Sequence, residues 1–80
     1  MMTQPDLLIA QFLKKDTVAF NKIYDLYSES LFGVINSVVH DKEIAEEVLQ
    51  DTFVKIWEKS DHYNPSKGRF FTWMLNLARN

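Results

Sequence analysis

Two stretches of the sequence carry side chains that could bind a partner. The first, residues 45–58, reads AEEVLQDTFVKIWE and sets polar residues and one valine on one side of a helical period. Lys55 is its only cation, so this side is acidic around an apolar centre, which favours a protein-binding surface. A solvated helix face is the alternative explanation. The candidate interface residues are Glu46, Glu47, Gln50, Asp51 and Val54, with Glu58 on the same side.

The second stretch, residues 62–80, interleaves cations, aromatic rings and side-chain amides. Cations neutralise phosphates, aromatic faces stack on unpaired bases and asparagine amides read base edges, so the pattern indicates single-stranded nucleic-acid binding. In the competing interpretation the aromatic residues, above all Phe70 and Phe71, belong to the core. The candidate DNA-binding residues are Asn64, Ser66, Lys67, Gly68, Arg69, Trp73, Asn76, Arg79 and Asn80.

The distribution of charge separates the same two stretches. The net charge is -2, which alone argues against a nucleic-acid partner. Residues 1–61, however, hold all 11 acids against six lysines, a formal charge of -5, whereas residues 62–80 hold three cations and no acid, a charge of +3. The cationic end is therefore the end that carries the candidate DNA-binding residues.

Catalytic chemistry has little support in the sequence. His40 and His62 each fall in a linker, and the adjacent Glu46 and Glu47 diverge by about 100° around a helix and cannot converge as an acid–base pair. No glycine-rich phosphate loop and no metal-ligand spacing occurs, so we expect no enzyme, no cofactor and no metal. The absence of cysteine agrees with a reducing cytoplasm, and no segment approaches the roughly 20 apolar residues of a membrane span.

Helical periodicity accounts for most of the apolar residues, so the sequence predicts an all-α fold, a small bundle of about four helices. A first helix starts at Pro5 and Asp6, with Asp6 as its cap, and ends near Lys15. Asp16 caps a long second helix, in which Gly33 marks either a close neighbour or a tolerated defect. The predicted buried stripe of this second helix is Phe20, Ile23, Tyr24, Tyr27, Leu31, Val34, Ile35 and Val38.

A third helix begins after its cap Asp41 and ends near Ser60, and a fourth runs from Phe70 to Asn80 after a loop with Asn64-Pro65 turn chemistry. The fourth helix reaches the last residue without a cap signal, from which we expect these 80 residues to be the front part of a longer protein. The predicted buried residues are Ala45, Val48, Leu49, Phe53, Ile56 and Trp57 in the third helix, and Phe70, Phe71, Met74, Leu75 and Ala78 in the fourth.

The run AEEVLQDTFVKIW followed by YNPSKGRFFTWMLNLARN resembles region two of bacterial sigma factors of the extracytoplasmic-function group. The upstream run FNKIYDLYSESLFGVI is similar to the start of that region, so the resemblance covers nearly the whole chain, from about Asp6 to Asn80. Its most specific parts are the order Gln50, Asp51, Phe53, Trp57 and the Thr72-Trp73 pair that leads into residues 77–80.

This resemblance implies an all-helical region-two domain over residues 1–80, with the remainder of the sigma factor absent. It implies that the helix at 42–58 binds the clamp helices of the RNA polymerase β′ subunit. It implies that residues 62–80 recognise the melted promoter minus ten element, mainly the single-stranded non-template strand. An anti-sigma factor is a further implied partner, and the implied location is the cytoplasm. The family commonly has a basic residue where this chain has Asn76.

Two other functions remain open from the residues alone. A protein-only helical adaptor would keep the acidic face and make the cations at 62–80 incidental, and it would not bind single-stranded DNA. A helical enzyme would need its carboxylates to converge on a metal, and added metal would then raise its thermal stability.

Overall fold

The computed structural model describes residues 4–79, which form four α-helices and no strand. The all-α prediction of about four helices is confirmed. Two short 3₁₀ helices, Ser60–His62 and Pro65–Lys67, lie between the third and fourth α-helices. The α-helices are α1 Gln4–Leu13, α2 Thr17–Val39, α3 Lys42–Glu58 and α4 Phe70–Arg79.

Aspartate caps set where the two long helices begin. Asp16 accepts hydrogen bonds from two first-turn N–H groups of α2 at 2.9 and 3.1 Å, and Asp41 does the same for α3 at 3.0 and 3.2 Å. Both predicted caps are confirmed. The predicted cap at Asp6 is wrong, because α1 already begins at Gln4 and Asp6 lies inside its first turn. An acid in the first turn still complements the positive end of the helix.

The core lies between α2 and α3, with α1 and α4 closing its two sides. Each helix contributes one face, as the periodicity predicts. Four buried positions, Ala19, Thr52, Ser60 and Leu77, fall outside the predicted stripes. The hydroxyl of Thr52 donates to the Val48 carbonyl at 2.6 Å. The buried apolar residues are Phe12, Ala19, Ile23, Leu31, Ile35, Ala45, Leu49, Phe53, Ile56, Phe70, Met74 and Leu77.

The predicted stripe of α2 is wider than the buried one. Val38 is 73% exposed, and Tyr24 and Val34 are also exposed. The buried line of α2 passes through Ile23 and Ile35, and a residue one position off this line points about 100° away from it. Tyr24 and Val34 therefore border the core without entering it, whereas Val38, seven residues after the buried Leu31, lies on the buried side but stays exposed near the end of α2.

Gly33 lies in the middle of α2, at a solvent-exposed position. A Cβ atom built there meets nothing within 4 Å, so the glycine does not mark a close approach by another helix. Of the two explanations open from the sequence, the tolerated defect is the correct one.

Aromatic rings join α1 to the rest of the bundle. The ring of Phe12 lies 5.9 Å from those of Phe20 and Phe70, which places α1 across the start of α2 and of α4. The ring of Trp57 lies 5.1 Å from that of Phe20. The ammonium group of Lys15 lies over the Trp57 ring, 4.7 Å from its centroid. This amine also donates a hydrogen bond to the carbonyl of Trp57.

Candidate functional site

The acidic row of α3 faces solvent. Burial of Ala45, Leu49 and Ile56 fixes the rotation of the helix and turns the opposite side outward. Val54 is 55% exposed in the middle of this side. The exposed residues are Glu46, Glu47, Gln50, Asp51, Val54 and Glu58, so the structure places all the predicted interface residues on one accessible face. Their binding role stays a prediction.

The amines of Lys55 and Lys15 both contact groups outside the acidic row. The Lys55 amine donates to the Leu77 carbonyl of α4 at 3.4 Å, and Lys15 lies against Trp57. Four acids remain on the row against Lys55, so the face carries a net negative charge.

A groove runs beside the acidic row, between α2 and α3. Its volume is about 520 Å³, and aromatic rings form its floor. Tyr24 borders it with its ring 4.7 Å from that of Phe53. The sequence prediction assigned Tyr24 to the core, and it overlooked the polar residues of α2 at the groove. The lining residues are Thr17, Phe20, Asn21, Tyr24, Gln50, Phe53, Val54 and Trp57.

The cationic stretch forms a separate pocket of about 250 Å³ between the α3–α4 connection and α4. It brings together six of the nine candidate DNA-binding residues: Asn64, Lys67, Gly68, Arg69, Trp73 and Asn76. His62, Tyr63 and Thr72 complete its lining.

The structure places two of the other three candidates outside this loop pocket. Ser66 lines a neighbouring pocket between the connection and α1. Arg79 lines a groove between α2 and α4, whose lining also includes Thr72 and Asn76 of the loop pocket. Asn80 lies outside the described residues.

Hydrogen bonds hold the connection in shape. The side-chain oxygen of Asn64 accepts from the Ser66 N–H at 3.0 Å and from the Ser66 hydroxyl at 2.7 Å, so it caps the second 3₁₀ helix. The Tyr63 hydroxyl donates to the Gly68 carbonyl at 3.1 Å and closes the connection around the pocket. Because its oxygen is engaged, Asn64 offers a ligand its amide N–H groups.

Aromatic packing positions the wall of the loop pocket. The rings of Tyr63 and Trp73 lie 5.3 Å apart, and each packs on the buried Phe70, at 5.2 and 5.6 Å. Trp73 is half-buried, so it belongs to the core on one side and to the pocket on the other. Burial raises the pKa of Tyr63 above its ordinary 10.0, and the charge of Asp6 raises it further. At neutral pH its phenol is therefore a protonated hydrogen-bond donor.

Other kinds of site find no support in the described part of the chain. Within residues 4–79 no group of three or more His, Cys, Asp or Glu side chains could hold a metal ion. No helix in the same range has the length and apolar character needed to cross a membrane.

Comparison with known proteins gives a consistent result. Residues 23–80 match the sequence profile of the family described as Sigma-70 region 2. The chain is 32% identical over 76 residues to the ECF RNA polymerase sigma factor SigK of Mycobacterium sp. (strain KMS), covering 95% of this chain and 39% of that protein. It is 30% identical over 63 residues to the ECF RNA polymerase sigma factor SigM of Bacillus subtilis, covering 79% and 37%.

A third relative, the RNA polymerase sigma-H factor of Pseudomonas aeruginosa, is 27% identical over 77 residues, or 96% of this chain and 39% of that protein. The chain thus spans well under half the length of the relatives it matches. No solved structure matches the chain significantly.

Proposed function

We propose a role in transcription initiation for this chain, which belongs to the Sigma-70 region 2 family. In this proposal the chain makes and breaks no covalent bond. It acts in the cytoplasm, docks on the clamp helices of the polymerase β′ subunit through the acidic row of α3 and captures melted promoter DNA in the loop pocket.

The observation that carries this proposal is the separation of two surfaces of opposite charge. The acidic row belongs to the middle of α3, the loop pocket belongs to residues 62–76, and no residue lines both. A single domain can therefore contact a basic protein surface and a polyanion at the same time, without one partner displacing the other.

The docking half of the proposal follows from the composition of the row. Glu47 and Asp51 meet basic side chains of the clamp helices, while the exposed Val54 supplies a dry centre. Charge complementarity of this kind raises association rates and excludes partners that carry the same charge.

The DNA half follows from the shape and chemistry of the loop pocket. An unpaired base enters beside Trp73, Lys67 and Arg69 neutralise the flanking phosphates, and Asn76 presents an amide to the base edge. A base stacked in duplex DNA reaches the same pocket only after unstacking, which costs a few kcal/mol. The pocket therefore selects melted over duplex promoter DNA.

The test of the DNA half is NMR chemical-shift mapping with a short single-stranded oligonucleotide and with its duplex as control. We expect shifts at residues 64–69 and 76–80 with the single strand, and weaker shifts with the duplex. Shifts centred on residues 46–51, or no shifts at millimolar DNA, would overturn DNA capture and leave the protein-only adaptor as the better description.

A further inference from the structure

The connection between α3 and α4 has a pocket on each of its two sides. The loop pocket lies on one side. A second pocket of about 640 Å³, hereafter the α1-side pocket, lies on the other, between the connection, α1 and the start of α4. Tyr63, Gly68 and Arg69 line both pockets. The exposed Arg69 therefore borders two different openings.

The α1-side pocket has side chains that favour nucleic acid. Tyr27 and Phe71, both half-buried, line it with their rings 6.2 Å apart, and Arg69 supplies a cation. Aromatic surface beside an arginine is a combination that binds single-stranded nucleic acid. The α1-side pocket is also more than twice as large as the loop pocket, which measures about 250 Å³. By these properties alone, a single strand would have two competing places to bind.

Asp6 distinguishes the two pockets. Its exposed side chain lines the α1-side pocket together with Arg69, whereas the loop pocket has no acidic residue among the described residues that line it. Burial raises the pKa of the Tyr63 phenol and the charge of Asp6 raises it further, so this charge acts on the connection. A carboxylate in this position repels a phosphate group that approaches from the α1 side.

Packing of α1 fixes the position of Asp6. Phe12 is fully buried, and its ring lies 5.9 Å from that of Phe70, the first residue of α4. Asp6, Ile9 and Phe12 follow one another at intervals of three, so each lies next to the following one on the helix surface. Ile9 lines the α1-side pocket as Asp6 does. The helix therefore presents the carboxylate to the connection from a fixed support.

We propose that Asp6 is a specificity-determining residue that excludes the DNA backbone from the α1 side of the connection and so leaves Arg69 to the strand in the loop pocket. The inference rests on the proposed capture of single-stranded DNA and adds α1 to a site that the sequence pattern confined to residues 62–80. Asp6 also lies outside residues 23–80, the stretch that matches the family profile. Because the same carboxylate attracts Arg69, it lowers the affinity for DNA while it restricts the strand to one path.

The test measures the affinity for a labelled single-stranded oligonucleotide by fluorescence anisotropy. At about 0.1 M salt, charges more than about 10 Å apart are largely screened. Asp6→Asn removes the carboxylate, and Asp25→Asn makes the same change of net charge at an exposed position of α2 that lines neither pocket. We expect Asp6→Asn to bind about two- to threefold more tightly than the parent, the scale of one exposed charge pair, and Asp25→Asn to bind as the parent does.

Two further measurements show whether Asp6 acts through Arg69. In an Arg69→Gln background, Asp6→Asn should give no gain, because the cation that the carboxylate restrains is absent. On addition of DNA, the amide of Ile9 should shift in Asp6→Asn but not in the parent, because only the variant admits the strand to the α1 side. Damage to α1 would weaken binding, so a gain in affinity has the opposite sign to a structural defect.

The outcomes separate failure of this role from failure of DNA capture. Equal affinities of Asp6→Asn and Asp25→Asn, or a gain that persists with Arg69→Gln, would overturn the role of Asp6 and leave DNA capture standing. An Ile9 amide that shifts in both the parent and Asp6→Asn, or in neither, would overturn it as well. If the parent binds no single strand, DNA capture is overturned and the role of Asp6 falls with it.

Discussion

Tyr63 connects the loop pocket to the core through a single side chain. Its ring packs on Phe70 and Trp73, and its hydroxyl donates to the Gly68 carbonyl. Burial and the neighbouring Asp6 charge raise its pKa, so the folded state holds the phenolic proton more tightly than the unfolded state does. The stability that this preference adds is present below about pH 10, the unfolded pKa, and is lost as the pH rises through the higher folded pKa.

We therefore expect the stability of the parent chain to fall more steeply above about pH 10 than that of Tyr63→Phe, which has no phenolic proton to lose. The two proteins share every other titratable group, so the difference between the two curves isolates Tyr63. The measurement is urea unfolding at several pH values between 8 and 11. Parallel curves would show that Tyr63 has the same pKa in the folded and unfolded states.

At Gly33 we predict a substitution that stabilises the folded protein. Since a Cβ atom there meets nothing within 4 Å, Gly33→Ala removes backbone freedom from the unfolded chain without creating a clash. We expect a gain of about 0.5–1 kcal/mol, which raises the melting temperature by a few degrees in a domain of this size. A lower melting temperature by calorimetry would mean that another group needs the space above the α2 backbone.

At the scale of the helices, the rotation of each helix about its own axis decides which of its residues lie in the core and which lie on the surface. Phe53 and Val54 are adjacent in α3, yet Phe53 is 4% exposed and Val54 is 55% exposed. Phe53→Ala should lose about 3–5 kcal/mol of stability, whereas Val54→Ala should change it by no more than about 0.5 kcal/mol. Thermal unfolding of the two variants checks the rotation, and similar losses for both would contradict it.

The sequence was sufficient to predict the starts of the two long helices, because an aspartate cap and the periodicity after it are local signals. It also predicted which side of α3 faces outward. It misassigned Tyr24, Val34 and Val38 of α2 to the core, because their exposure depends on how far α3 and α4 cover that helix. The groove was missed for the same reason, since its walls come from two helices whose contact no local pattern encodes.

The candidate DNA site was predicted in part. Residues 64–76 come together because one short connection and the turns of α4 after it hold them within a single pocket. Arg79 was grouped with them by its charge and its proximity in sequence, but it lines the groove between α2 and α4. The packed structure is needed to determine which way a residue on a helix points relative to a distant loop.

At the scale of the whole molecule, the positions of the cations predict the salt dependence of the proposed DNA binding. Among the described lysines and arginines, Lys67 and Arg69 line the loop pocket. The logarithm of the single-strand affinity should therefore fall with the logarithm of salt with a slope of about -1.4, at roughly -0.7 for each phosphate contact. Lys67→Gln should reduce the slope by about half, and Arg79→Gln should leave it unchanged. Fluorescence anisotropy at several salt concentrations measures both, and an equal effect of the two variants would place Arg79 in the DNA path.

The separation of the acidic row of α3 from the cationic loop pocket is the property of the whole molecule from which its proposed function follows. Because the two surfaces are separate, a charge on one of them can be reversed without disturbing the fold or the other surface. Asp51 and Glu29 are both exposed acids on long helices, but only Asp51 lies on the acidic row of α3. They provide a matched pair of charge reversals.

The most direct test is a titration of the β′ clamp-helix hairpin with the parent chain, Asp51→Lys and Glu29→Lys. We expect saturable binding by the parent and by Glu29→Lys, and a loss of about 2–5 kcal/mol of binding free energy for Asp51→Lys, because the reversal removes a charge pair at the interface. The melting temperatures of all three should stay close, since surface substitutions change stability by no more than about 0.5 kcal/mol. Equal affinities for Asp51→Lys and Glu29→Lys, or no binding by the parent, would contradict polymerase docking through α3.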